Sequence, residues 1–208
     1  MRRCYHPGYS SSRKVQLLMG FGRPKIRLVE NTQERLARIL TEKHKTKVYF
    51  RANCCMTEGN IILLPVIPAD APQEFLDAIP GFLDHEVSHI LHSDFEVFAR
   101  VGQAGQWKLH NIMQFLEDAR HEPLMIKKWR GSRSNFARTD AFGQKRMLEH
   151  WDKQSVWGKF TQVMCAISHF GTSDPYTQKL AELEPEMMEL AMTVEDLLVQ
   201  APLMPDTE

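Results

Sequence analysis

Apolar Leu36, Ile39 and Leu40 fall at helical spacing behind Asn31-Thr32, and predict a helix capped there and running to about Lys43. The period then changes. KVYFR, Lys47 to Arg51, and GNIILL, Gly59 to Leu64, read as two short strands. Thr57-Glu58-Gly59-Asn60 supplies turn chemistry between them and predicts a hairpin, hence a small antiparallel sheet. Pro65, Pro68 and Pro72 end the sheet region, and a short helix is expected from Gln73 to Ile79 before Pro80-Gly81 restarts the chain. Two long helices follow, about 82–100 and 107–122, then a Gly/Ser/Arg loop near 130–135. Residues 140–200 read as mostly helical. Trp151, Trp157 and Phe160, like Met187, Met188 and Met192, sit at spacings that suit core packing. There is no internal repeat, and the class is α+β.

The helix from 82 to 100 carries the chemistry. With His85 at zero and 100° per residue, His89, His92 and Glu96 fall within about 40° of it. Leu83, Val87, Ile90, Leu91 and Phe98 form the opposite, apolar face. The pattern predicts a helix that buries one side and turns its histidines to a cleft. His85-Glu86-Val87-Ser88-His89 is a HExxH motif, expected by chance roughly 0.03 times in such a chain, so it is a signal worth following. Two imidazoles at i and i+4 can grip one Zn²⁺, with Glu86 beside the bound water as general base.

Catalytic zinc needs a third protein ligand and an open position. The glycine and distal histidine of a metzincin are missing, since His92 stands at the glycine position. A carboxylate from a later helix, as in gluzincins, is the alternative. In HNIMQFLEDARHE, His110 to Glu122, Glu117 lies at the edge of the apolar stripe, while Asp118 and Glu122 fall on the far polar side. Glu117 is the expected third ligand and Asp118 the next candidate. Asp94 and His92 are weaker, because a straight helix carries both away from the metal. Arg120, His121 and Tyr176 are of suitable type to stabilise developing negative charge. The implied fold is zincin-like: a small antiparallel sheet on the active-site helix, with further helices behind.

Two runs carry a resemblance. GFLDHEVSHILHSDFEVF, followed by HNIMQFLEDARHEPLMIKKWRGS, resembles the CobT-like proteins of bacteria and phages, named after a cobaltochelatase subunit. The pattern couples a HExxH helix to a later LEDxRxE helix and a basic turn, here Leu116-Glu117-Asp118, Arg120, Glu122 and Trp129-Arg130-Gly131. Leu63-Leu64-Pro65 and Gly81 to Asp84 fit it as well. The resemblance covers roughly residues 30–135. It implies an AAA+ ATPase or a von Willebrand A domain as partner. The DxSxS metal site of such a domain does not occur here, so the chain either ends before that domain or stands alone.

Composition narrows the rest. The 208 residues carry no net charge, so no global field draws the chain to nucleic acid or membrane. Residues 1–27 nevertheless hold seven cations and no acid, and residues 174–208 hold nine acids against Lys179. The chain therefore divides into a basic arm (1–28), a zincin-like metallopeptidase core (29–135), a helical part of the same domain (136–200) and an acidic tail or linker (201–208). No run is apolar enough to span a bilayer, and no secretory signal precedes the core. Cys4, Cys54, Cys55 and Cys165 include no CxxC pair, which fits a reduced, cytoplasmic compartment.

Three functions compete. The first is a zinc metallopeptidase with ligands His85, His89 and Glu117 and base Glu86, its peptide substrate pairing with the strand Gly59 to Leu64. The second is a metal-binding accessory module of an AAA+-associated, chelatase-type complex without peptidase activity. The third is a nucleic-acid binder using the basic arm and Lys127, Lys128, Arg130, Arg133 and Arg138, with Trp129 and Phe136 as stacking groups. Zero net charge makes it the weakest.

Overall fold

The computed structural model describes residues 23–43 and 45–206, so most of the basic arm, Cys4 included, lies outside the described residues. The elements are α1 (Arg23–Thr41), β1 (Lys47–Ala52), β2 (Met56–Glu58), β3 (Ile61–Pro65), α2 (Gln73–His92), α3 (Phe95–Gln103), α4 (Trp107–Lys128), α5 (Ser132–Glu149), α6 (Val156–Phe170), α7 (Pro175–Leu183), α8 (Pro185–Met192) and α9 (Glu195–Gln200). They fall into two compact units. One holds residues up to Leu91 together with Gly131–Arg146, the other His92–Arg130 and Met147 onward. The α+β class holds.

In the first unit, α1 starts eight residues before Asn31. Thr32 does not cap it; its hydroxyl donates back to the Leu28 carbonyl at 2.7 Å, a bond made inside a helix. The sheet is mixed, not antiparallel. Its order is β1-β3-β2, with β1 parallel to β3 and β2 antiparallel to β3. The hairpin therefore joins β2 to β3, through Gly59 at φ +58°, a left-handed turn that glycine adopts without strain. Burial explains why β3 takes the centre. Ile62 and Leu64 are fully buried, and a central strand satisfies its backbone on both edges. With both edges taken, β3 has none left for an extended peptide, which overturns the substrate pairing expected there.

The sequence predicts a break at Pro80-Gly81, but α2 runs through both residues. Proline costs one backbone bond; the packing of this turn outweighs it. Gly81 faces α5 so closely that a Cβ would stand 2.0 Å from Thr139 Oγ1 and 2.4 Å from the Asn135 carbonyl oxygen. Thr139 donates to the Ala78 carbonyl at 2.8 Å, and Phe75, Phe82 and Phe142 meet at tilted or edge angles beside it. The break comes instead after His92. Asp94 caps α3, accepting from the amides of Glu96 at 2.8 Å and Val97 at 3.4 Å, so it is a helix cap and not a ligand carried along a straight helix.

The second unit is helical throughout. Its core gathers Phe115 from α4, Val163, Met164 and Ile167 from α6, and Tyr176, Leu180 and Leu198 from the helices that follow. Trp151 is buried among them and donates to Glu184, while Met187 and Met188 pack against the cluster and Met192 is exposed. Residues 201–203 form a 3-10 turn packed on α4. Among the described residues, no helix is long and apolar enough to cross a membrane, and Cys54, Cys55 and Cys165 form no disulfide.

Candidate metal centre

The HExxH helix does not turn one face to solvent. Every residue from Phe82 to Ile90 is buried, including His85 at 2 %, Glu86 at 1 % and His89 at 1 % exposure. The single buried face read from the helix wheel is thus corrected: polar residues here are buried because they have partners. His85 and His89 stack one turn apart, rings nearly perpendicular, with their Nε2 atoms 3.2 Å apart. Thr57 of β2 donates to Glu86 Oε2 at 2.6 Å and lies 3.2 Å from the Glu86 main-chain oxygen. Asp84, just before the pair, accepts from Asn135 Nδ2 at 2.8 Å. Burial pushes the Asp84 carboxyl above its ordinary pKa, against the bonds from Asn135 and Ser132.

The second unit offers another buried polar turn. Glu117, Asp118, Arg120, His121 and Glu122 of α4 are all at most 6 % exposed. Asp118 and Glu122 do not face outward as the wheel suggested. Each acid of this turn has a cation or imidazole beside it. Arg120 grips Glu117 with Nε at 2.8 Å and a terminal nitrogen at 2.6 Å, and also donates to the His92 carbonyl. Asp118 Oδ1 lies 3.5 Å from His121 Nε2, and Glu122 Oε2 lies 2.9 Å from His169 Nε2 on α6. Burial, then the charges of Arg120 and Lys128, hold His92 below the ordinary histidine pKa despite Glu117. Tyr176, by contrast, packs in the hydrophobic core, edge-on to Phe170.

Ligand chemistry can be tested on these pairs. Donors at about 2.0–2.1 Å from a tetrahedral zinc stand about 3.3–3.4 Å from one another. The His85–His89 separation of 3.2 Å and the Asp118–His121 separation of 3.5 Å bracket that value, each within its own unit. His85 and His89 in the first unit, and Asp118 and His121 in the second, are thus two buried donor pairs, each of a kind that metal ions take. The structure joins His85 with His89 and ties Glu117 to Arg120. His121 as a donor was missed from the sequence; the i, i+3 spacing of Asp118 and His121, which puts both on one helix face, was the available signal.

The profile of the family described as cobalamin biosynthesis protein CobT matches residues 31–153, which covers the sheet, the HExxH helix and α4. No curated protein and no solved structure matches the chain. The match extends over more than half of the 208 residues, and the chain belongs to the CobT family.

Proposed function

We propose that this protein is a metal-binding module of a CobT-type, chelatase-associated assembly, holding a divalent cation through the His85–His89 pair of its HExxH turn. The observation that carries the reading is the buried His85–His89 pair, whose Nε2 atoms stand 3.2 Å apart, close to the edge of a tetrahedral zinc site. Two imidazoles at i and i+4 on one helix suit zinc. The family's description, with the AAA+ or von Willebrand A partner that the resemblance implies, points the same way. Elemental analysis of the purified chain tests it: about one zinc per chain is expected, lost in His85→Ala and His89→Ala. Full zinc in both variants would overturn the reading.

One observation favours a second reading, a zinc metallopeptidase. Glu86 is buried in the same turn as the two histidines and held by a strand hydroxyl, and a purely structural site has no use for that carboxylate. In this reading the third ligand is Glu117, and bound zinc would supply an acidified water. Glu86 would take its proton and return it to the leaving amine. The grip of Arg120 on both Glu117 oxygens counts against that ligand. Casein or a broad peptide library decides: cleavage by the native chain that falls at least about 100-fold in Glu86→Gln, with zinc retained, would establish peptidase activity.

A further inference from the structure

We infer that Thr57 is a positioning residue of this centre, holding the Glu86 carboxylate beside the histidine pair and off the cation; the inference rests on the metal-binding reading above. Thr57 is 3 % exposed, and it reaches Glu86 across 29 residues of sequence, from β2 to α2. The bond is therefore built by the fold of the first unit and not by a local turn. A hydroxyl has one proton, and the 2.6 Å contact to a carboxylate is the stronger, charge-assisted claim on it. The second contact, to the main-chain oxygen of the same glutamate, keeps that hydroxyl over the turn that bears the side chain.

A glutamate between two histidines one turn apart has two alternatives once a cation is bound. It can swing onto the metal as a further anionic donor, or stay outside and act on what the metal holds. Anchored at Oε2 to the strand, Glu86 is kept outside. Threonine suits the task because branching at Cβ restricts χ1 and favours a strand, so the anchor is stiff. Serine would supply the same bond with a looser side chain. Valine keeps the shape and removes the bond.

The experiment loads the full chain with Co²⁺ and reads its visible absorption bands, which report donor number and geometry, and its affinity against a competing chelator. In Thr57→Val the bands should change and the affinity should shift about 10-fold, while Thr57→Ser follows the native chain. In a Glu86→Gln background, Thr57→Val should have no further effect, because no carboxylate remains to be released. Thr57→Ala serves as a second variant, with folding checked by circular dichroism. Native bands and affinity in a folded Val or Ala variant would overturn the inference alone, as would a serine variant that behaves like valine. A native chain that takes up no Co²⁺ would overturn the metal reading and the inference together.

Discussion

Arg120 holds both carboxylate oxygens of Glu117 within one buried turn of α4, and neither side chain is more than 4 % exposed. Such a pair is weak evidence of net stabilisation, but breaking it leaves an uncompensated charge inside the protein. Glu117→Gln should therefore lower stability by about 3 kcal/mol in a denaturant titration while zinc content stays near one per chain. Loss of zinc without loss of stability would make Glu117 a ligand after all.

His85 and His89 carry the opposite expectation. His85→Gln or His89→Gln should weaken zinc binding at least about 10-fold, measured by chelator competition. His110, which packs edge-on against Phe98, is the control, and His110→Ala should leave zinc affinity unchanged. Equal effects at all three positions would point to loosened folding and not to ligation.

Gly81 tests the close approach of α2 and α5. Alanine is the better helix former by about 1 kcal/mol, so propensity alone favours Gly81→Ala. The new methyl would meet Thr139 Oγ1 at 2.0 Å and backbone oxygen at 2.4 Å, and backbone cannot rotate away. A net destabilisation of about 1–3 kcal/mol is expected by thermal unfolding. An unchanged midpoint would mean that α5 slides aside at no cost.

Glu184 gives a pH dependence with a definite sign. A hydrogen bond from Lys159 comes first among the causes that hold its carboxyl below the ordinary value of 4.5, with Trp151 adding a second bond. A lowered folded pKa means that the stabilisation is present above 4.5 and lost as pH falls through the folded value. Glu184→Gln should cost about 1 kcal/mol at pH 7, and the difference from the native chain should shrink steadily under acid. A constant difference across that range would assign the loss to packing.

Local rules made the helices, the HExxH spacing and the family pattern legible, since each depends on residues within a turn or two of one another. The helix wheel put His85 and His89 on one face, and their Nε2 atoms do meet. What escaped it depended on distant partners. Asp118 and Glu122 look like solvent-facing acids until His121 and His169 stand beside them, and a wheel has no knowledge of α6. Pro80 and Gly81 look like a break because their intrinsic preferences say so; the packing of Thr139 and Phe142 overrides them. Two of the three strands were found; β2 was missed because Thr57 and Glu58 read as turn residues, and with it the pairing, since the turn at Gly59 fits a hairpin whichever strand precedes it.

That pairing makes the last strand of the sheet its middle member, and so sets an order of assembly. β2 and β3 are joined by two residues and can zip within microseconds. Among the described residues β1 packs on α1 and its one partner in the sheet is β3, in a register that pairs Lys47 with Ile61, so its backbone edge has no strand to join until that hairpin exists. Synthesis runs the other way: β1 leaves the ribosome first and waits, as an unpaired edge, for the strand that will cover it. A fluorescent probe beside Tyr49 should accordingly report later in refolding than one beside Thr57. The residues between β1 and β2 are where a nick or an insertion would let the waiting strand find another chain's edge instead.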